Sequence, residues 1–266
     1  MVLLLLLAVA MTALALQAYG WRELLAAAPA RTMSGMLGLD LVIAMPISWM
    51  PLVSDYTRYA AVPGRGLRGT WWGYFLVSSW MFAAGLIVAL ATGSGAPETA
   101  LMQLMGAHGL LVPAVAIVLL STLTTTFLDI YSNAVSAQSL FPKVGTRPLI
   151  ALAGLAGTAI ALFFDATKYE VFLLFIGAAF CPLFGVVLAD YFVLKRGRYV
   201  AEDLYCRGRY WYAGGVNGRA MFAWAAGFGV YRLCAQTGFA GGSSIPSLLA
   251  AAAIYLAIST GKREPK

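Results

Sequence analysis

Charged residues are scarce in this chain of 266 residues. They make up 11% of it, against about 25% in soluble domains, and hydrophobic residues make up 61%. A single soluble core cannot hide that much apolar surface, so the composition excludes an ordinary soluble enzyme, a disordered chain and a nucleic-acid-binding domain. The net charge of +7 therefore indicates basic loops beside a membrane rather than a nucleic-acid partner.

Histidine and cysteine are also rare. His108 is the only histidine, and Cys181, Cys206 and Cys234 show no CxxC spacing, so nothing indicates a disulfide framework or a zinc site. The sequence contains no nucleophile–base pair and no HExxH or GxSxG motif, which predicts no enzyme and no cofactor. Gly64–Gly69 matches GxGxxG literally, but no strand precedes it, and this argues against a dinucleotide site.

Long apolar runs dominate the chain, and they are continuous rather than alternating, which predicts helices and not strands. A transmembrane helix needs about 20 mostly apolar residues. The segments that qualify are 2–20, 36–53, 71–93, 111–139, 148–164, 171–194, 220–235 and 245–260. The sequence therefore predicts an all-α polytopic membrane protein with about eight transmembrane helices in a single transmembrane domain, residues 1–266. The first run resembles a signal peptide, but the absence of Lys or Arg before it argues against that reading.

Lysine and arginine indicate the orientation, because they accumulate in cytoplasmic loops. With both termini in the cytoplasm, 14 of the 18 basic residues fall inside. The other four are Arg22, Arg31, Lys168 and Arg232. An odd number of spans would break this pattern, so we expect a multi-pass protein of the plasma (inner) membrane with both termini cytoplasmic.

The fourth predicted span, 111–139, carries a polar stripe that lipid would not tolerate. Within an arc of about 80° on a helical wheel lie Ser121, Thr125, Asp129, Ser132, Ser136 and Ser139. Helix–helix packing is one explanation for the serines. It does not easily explain Asp129, whose carboxylate would accept hydrogen bonds from the N–H groups of a heterocycle.

The same span also has the residues for a cation site. Ser121, Thr124 and Thr125 offer hydroxyl and carbonyl oxygens, which suit a hard cation such as sodium. Thr124 lies off the stripe, so the remaining ligands would come from a neighbouring helix. No other metal site is predicted.

The second predicted span, 36–53, contains Pro46 and Pro51, with Ser48 and Trp49 between them. Each proline removes a backbone donor and clashes with the preceding turn, so the pair predicts a discontinuous helix; a plain kink is the alternative. Broken helices leave backbone groups with which transporters hold substrates and ions. Trp49 would stack on a flat ring, anchor at an interface or pack in the core.

Three further aspartates have structural interpretations. Asp55 and Arg58 are three residues apart, so they can pair on one helical turn as a gate or loop anchor. Asp190 is predicted to belong to a structural ion pair near the cytoplasmic end of its span. Asp40, toward the outer end of its span, is interpreted either as cap-like support or as a functional group.

Two stretches, DLVIAMPISWMPLVSDYTRYA and STLTTTFLDIYSNAVSAQSLFP, resemble the nucleobase:cation symporter-1 family, and most closely its CytX-type hydroxymethylpyrimidine permeases. The family has about twelve helices around two inverted five-helix repeats. The resemblance implies that the eight spans correspond to its helices five to twelve. It also implies a partial transporter core, 1–195, followed by two accessory helices in 220–260.

The resemblance further implies particular site residues. The ion-binding residues would be Ser121, Thr124 and Thr125. The substrate-binding residues would be Pro46, Ser48, Trp49 and Asp129. Asp129 falls at, or one residue from, a polar ring-binding position, and the family's stacking tryptophan falls near Pro46, three residues before Trp49.

The implied function is a symporter for a pyrimidine-like heterocycle such as hydroxymethylpyrimidine, a thiamine precursor, driven by sodium or protons. The alternatives are a cytosine, purine or allantoin permease of the same family, or a non-transporting truncated membrane fragment. Because the family's first four helices have no counterpart, we expect that these 266 residues alone do not transport. The expected partners are the heterocycle and the bilayer, with no nucleic acid; the oligomeric state is left open.

Overall fold

The computed structural model describes residues 2–26, 33–94, 96–164, 168–204, 208 and 210–259, and within these ranges the chain forms helices and no strands. The helices are α1 (Val2–Tyr19), α2 (Trp21–Ala26), α3 (Gly35–Trp49), α4 (Val53–Thr57), α5 (Pro63–Thr92), α6 (Pro97–Ala107), α7 (Leu111–Leu140), α8 (Thr146–Phe163), α9 (Tyr169–Leu188), α10 (Ala201–Leu204), α11 (Gly218–Thr237) and α12 (Ser244–Ser259). A π-helical segment, Ala189–Leu194, continues α9, and Ala213–Gly215 form a 3₁₀ turn. The predicted all-α polytopic fold class is confirmed.

Five of the described helices are long and apolar enough to cross a membrane: α1, α5, α7, α8, and α9 with its π-helical continuation. The other three predicted spans correspond to α3, α11 and α12. Helices α3 and α12 are apolar but shorter, and α11 carries Arg219 and Arg232. The count of eight spans therefore stays a prediction beyond these five.

Some helix boundaries differ from the predicted spans. Helix α5 begins at Pro63 rather than at residue 71, because a proline suits the first position of a helix, where its missing N–H is not needed. The segment between α5 and α7 contains the unpredicted helix α6, which also begins with a proline and has Glu98 in its first turn. These helix-start residues lie outside the longest apolar runs, so a search for such runs passes over them.

The contacts divide the chain into two compact units. Unit 1 comprises residues 1–30 and 52–163, and unit 2 comprises residues 31–51 and 164–266. The boundary between residues 51 and 52 falls in the break between α3 and α4. Helices α11 and α12, predicted to be accessory, lie in unit 2 with α3 and α9. The single domain and its division at residue 195 stay predictions.

In unit 1, α1 packs against α5, α6 and α7, and α7 packs against α8. The core contains small and medium side chains, among them Ala15, Val88 and Met105. Much of the remaining apolar surface is exposed, including Leu123 and Phe127 on α7. Such surface is suited to lipid or to another protein surface rather than to water.

Unit 2 is packed around α9, which contacts α3, α11 and α12. Small residues allow the helix backbones to approach closely, as is common between membrane helices. A Cβ atom on Gly185 of α9 would collide with the carbonyl of Leu248 on α12. A Cβ atom on Gly227 of α11 would lie 2.6 Å from the Cβ of Pro182 and 2.7 Å from that of Ala251. Glycine is therefore required at both contacts.

Candidate functional site

The predicted ion-binding residues lie on one turn of α7 and bring three oxygen atoms together. The hydroxyl of Thr124 donates to the backbone carbonyl of Ser121 over 2.8 Å, and the hydroxyl of Thr125 donates to the same carbonyl over 2.9 Å. Both threonines are exposed, and Ser121 is half-buried. Because the hydroxyl protons point at the carbonyl, the threonine lone pairs remain available to a cation. Hard cations take about six or more oxygen ligands, so this cluster supplies part of a shell.

Hydroxyl bonding to the preceding turn is not confined to this cluster. Thr122, on the same helix, donates to the carbonyl of Val118 over 2.9 Å. Threonine commonly makes this bond in helices. The distinguishing feature of Ser121 is therefore that two hydroxyls converge on its carbonyl.

Asp129 lies one turn after Thr125 and is half-buried. Its backbone carbonyl accepts a hydrogen bond of 3.0 Å from the side-chain amide of Asn133. Its carboxylate receives no hydrogen bond and forms no ion pair within the described part of the chain. A carboxylate in this state retains its full capacity to accept hydrogen bonds from a ligand.

The serines of the polar stripe on α7 differ in their exposure. Ser132 is 4% exposed, which agrees with the helix-packing interpretation of that position. Ser136 is exposed, and the side chain of Ser139 lies outside the described part of the structure. The stripe therefore remains accessible at Thr125, Asp129 and Ser136, on either side of the buried Ser132.

The predicted discontinuity in the second span is confirmed, but it lies after Pro46. Helix α3 continues through Pro46 and ends at Trp49, and α4 begins at Val53. Pro46 has no N–H, so it cannot donate to the carbonyl of Val42 in the preceding turn. Pro51 falls in the break itself, where its fixed backbone angle and missing donor are tolerated. The second proline, not the first, coincides with the end of the helix.

The predicted substrate-binding residues of α3 have different exposures. Pro46 is exposed and Trp49 is 39% exposed, so a flat ring can reach the indole. Ser48 is half-buried, and its hydroxyl donates to the carbonyl of Met45 over 2.6 Å. These residues belong to unit 2, whereas the predicted ligands on α7 belong to unit 1. That both sets line one cavity stays a prediction.

The predicted gate residues lie on and just after α4. The side chain of Asp55 lies outside the described part of the structure, so the Asp55–Arg58 pair stays a prediction. Arg58 donates to the hydroxyl of Tyr59 over 2.9 Å, and its guanidinium lies 4.8 Å from the centre of that ring.

Asp40 caps the first turn of α12. It is 4% exposed, and its carboxylate accepts backbone N–H bonds of 3.1 and 2.8 Å from Ser243 and of 2.8 Å from Ser244. The first N–H groups of a helix have no intrahelical partners and carry partial positive charge, so a carboxylate stabilises them. Of the two interpretations left open by the sequence, the structure supports the cap.

Asp190, in the π-helical segment, joins three parts of unit 2. Its carboxylate accepts hydrogen bonds of 2.6 Å from the hydroxyl of Tyr199 and of 2.8 Å from that of Tyr255. The side-chain amide of Asn217 donates to Tyr255 over 3.2 Å. Burial, and then the hydrogen bond and negative charge of Asp190, raise the pKa of Tyr199 above its usual value. Asp190 therefore has the predicted structural role, and its described hydrogen bonds come from tyrosine hydroxyls. The predicted ion pair stays a prediction.

The sequence of this chain matches one known protein family. The model of a permease family for cytosine/purines, uracil, thiamine and allantoin matches residues 1–255. The cytosine permease of Escherichia coli (strain K12) is 29% identical over 180 residues, which cover 68% of this chain and 41% of that protein. The allantoin permease of Bacillus subtilis (strain 168) is 27% identical over 184 residues, 64% of this chain and 37% of that protein.

The hydantoin permease of Microbacterium maritypicum is 28% identical over 162 residues, which cover 58% of this chain and 32% of that protein. The matched part of this chain thus spans less than half the length of these curated relatives. No solved structure gave a significant match. All three of these relatives are transporters by name, none an enzyme.

Proposed function

Because this chain belongs to the family of permeases for cytosine/purines, uracil, thiamine and allantoin, we propose that it forms part of a cation-coupled symporter for a pyrimidine-like heterocycle such as hydroxymethylpyrimidine. One observation carries the proposal: the family match over residues 1–255 includes both the break after Trp49 and the oxygen cluster at Ser121. Family membership makes this a multi-pass membrane protein whose relatives handle small heterocycles. The named substrate and the coupling ion belong to the proposal.

Substrate recognition in this proposal depends on hydrogen-bond acceptors. Ring and exocyclic N–H groups of the heterocycle donate to the carboxylate of Asp129, and each such bond to a charged acceptor contributes about 1.5–3 kcal/mol. Pro46 has no N–H to donate to the backbone carbonyl of Val42, so that carbonyl is a further acceptor for the substrate. The exposed indole of Trp49 stacks on the flat ring.

Coupling in this proposal uses the cluster at Ser121, Thr124 and Thr125 as one side of a sodium site. Sodium is transported with the substrate, and no resident cofactor is involved. A proton is the alternative coupling ion, in which case binding would depend on pH and not on sodium. The distribution of Lys and Arg supports a position in the inner membrane with both termini in the cytoplasm.

The experiment described below also tests two alternatives. In the first alternative the substrate is cytosine, allantoin or hydantoin, the compounds after which the relatives named above are called. The chain would otherwise be a membrane fragment that does not transport. Substrate competition separates the first alternative, and the absence of heterocycle binding favours the second.

The experiment measures binding of tritiated hydroxymethylpyrimidine to the purified chain in lipid nanodiscs, with sodium or with choline as the cation. Unlabelled hydroxymethylpyrimidine should compete better than cytosine, allantoin or hydantoin. If cytosine, allantoin or hydantoin competes better, that compound is assigned as the substrate. If none of the four compounds binds, the proposal is contradicted. Sodium-driven uptake into vesicles would contradict the expectation that the 266 residues alone do not transport.

Two variants test the residues. Asp129→Ala should weaken binding about tenfold or more, because a hydrogen bond to a charged group is lost. Thr125→Val should lose the dependence on sodium, whereas Thr122→Val, which removes an equivalent hydroxyl beside the cluster, should keep it. Unchanged affinity in Asp129→Ala removes this residue from the site. Equal behaviour of the two threonine variants removes the ion site.

A further inference from the structure

Helix α5 of unit 1 has an exposed face on the side away from its packed residues. The packed residues include Ala84 and Val88, which are 6% and 8% exposed, and α5 packs against α1. With about 100° per residue, the exposed face lies about 130–170° around the helix from these two positions. We refer to this face as the α5 face, and its members, all exposed, are Arg65, Arg68, Trp72, Phe75 and Leu76.

The residues of the α5 face follow a definite order along the helix. The two guanidinium groups belong to the first two turns, Trp72 and Phe75 follow, and Leu76 comes last. At about 1.5 Å per residue, the face extends about 16 Å from Arg65 to Leu76. A phospholipid has the same order from water to hydrocarbon: a charged phosphate, an interface at which tryptophan accumulates, and an acyl chain. The order therefore matches a lipid that lies along the helix.

The size of these side chains favours lipid over a second helix as the partner. Membrane helices that pack closely use small residues, as Gly185 and Gly227 do in unit 2. On the α5 face, Trp72 is 52% exposed and Phe75 is 51% exposed, and their ring centres are 6.2 Å apart. Rings of this size keep another helix backbone at a distance, whereas acyl chains pack around them.

The charges of the α5 face favour an anion. The first turn of α5 contains no acidic residue, and neither Arg65 nor Arg68 forms an ion pair with a described carboxylate. Arg68 donates through Nε to the carbonyl of Gly64 over 3.2 Å, and its Nη groups donate to no described residue. A guanidinium matches a phosphate with two parallel hydrogen bonds. A headgroup with net negative charge therefore complements the two arginines better than a zwitterionic headgroup does.

We propose that the α5 face is a binding site for an anionic phospholipid of the bilayer, such as phosphatidylglycerol. The guanidinium groups of Arg65 and Arg68 donate to the phosphate. Trp72 lies beside the glycerol, and one acyl chain packs on Phe75 and Leu76. The proposal requires a location in the membrane, which family membership supplies, and it does not depend on the transported substrate.

Tryptophan fluorescence measures which lipid contacts this face. The purified chain is reconstituted into vesicles with a fixed ratio of phosphatidylglycerol to phosphatidylcholine. Bromine, which quenches tryptophan on contact, is carried either by the acyl chains of phosphatidylglycerol or by those of an equal number of phosphatidylcholine molecules. The contribution of the face is the difference between the unchanged chain and a Trp71→Phe, Trp72→Phe variant. Trp71 is included because its ring stacks on that of Phe75, with centres 5.6 Å apart.

Brominated phosphatidylglycerol should quench this contribution more strongly, with a relative binding constant about tenfold above that of phosphatidylcholine. Arg65→Gln with Arg68→Gln should bring the two lipids to nearly equal quenching. Lys143→Gln with Arg147→Gln is the matched control and should keep the preference. Both control residues are exposed and belong to unit 1, so the pair removes the same charge outside α5. Gel filtration and circular dichroism show whether each variant is folded.

Three results would overturn the proposal. Equal quenching by the two lipids in the unchanged chain means that the face contacts the bilayer without selecting a headgroup. Loss of the preference in both double variants of basic residues means that net charge alone attracts the lipid. Fluorescence from Trp71 and Trp72 that neither lipid quenches means that protein, such as a second copy of this chain, covers the face.

Discussion

In unit 2 the carboxylates of Asp40 and Asp190 receive hydrogen bonds from other elements of the unit, whereas in unit 1 the carboxylate of Asp129 receives none from a described residue. The helices of unit 2 are also more closely packed than those of unit 1. In the spans of unit 1, 6–11% of the residues are buried, against 39% in the span formed by α9 and its π-helical continuation. An aspartate within an apolar helix therefore has two uses: it connects helices where packing is close, and it remains available to a ligand where packing is open.

The largest expected effect tests the difference in packing through two glycines. Gly185→Ala should destabilise the protein by about 3 kcal/mol, because its Cβ atom meets a backbone carbonyl that cannot move aside easily. Gly157→Ala on α8 of unit 1 is the matched control, since no atom lies within 4 Å of the added Cβ. The free energy of unfolding is measured by titration with sodium dodecyl sulfate in mixed micelles. Equal losses in both variants would contradict the difference between the units.

The second prediction compares two aspartates. Asp40→Ala should lower the free energy of unfolding by about 2 kcal/mol, because the buried N–H groups of Ser243 and Ser244 lose their acceptor. Asp129→Ala should leave it nearly unchanged, since no described residue depends on that carboxylate. The same titration measures both variants. A destabilisation by Asp129→Ala as large as that by Asp40→Ala would show that both aspartates are structural.

The smallest expected effect concerns pH. The folded protein raises the pKa of Tyr199, so the neutral hydroxyl that donates to Asp190 is the stabilising form. This contribution is complete below the unfolded value, about 10, and is lost as pH rises toward the higher folded value. Tyr199→Phe should therefore lose about 1 kcal/mol at neutral pH and show a weaker decline in melting temperature above pH of about 10. An unchanged slope would mean that this hydrogen bond does not link stability to pH.

Much of the fold could be predicted because an apolar run is a local property of the sequence. The predicted spans 2–20, 111–139 and 171–194 agree with α1, α7 and the α9–π segment to within a few residues. The start of α5 at Pro63 was missed because its first residues are polar and basic. Proline at that position was the available signal, but it had no apolar run beside it.

The site residues could be predicted only where their spacing is local. The convergence of Thr124 and Thr125 on Ser121 follows from positions three and four residues apart on a helix. The partners of Asp40 are 203 and 204 residues away, and Tyr255 is 65 residues from Asp190. No local pattern indicates such pairs.

The cap on α12 has a consequence for biosynthesis. Asp40 is made 203 residues before Ser243, and at ribosomal rates of about 5–20 residues per second this interval lasts about 10–40 seconds. During that time α3 has a carboxylate but not the N–H groups that will bind it. The nascent helix must keep Asp40 in contact with water, with the insertion machinery or with a temporary partner. The contact between α3 and α12 can therefore form only after Ser243 and Ser244 have been synthesised.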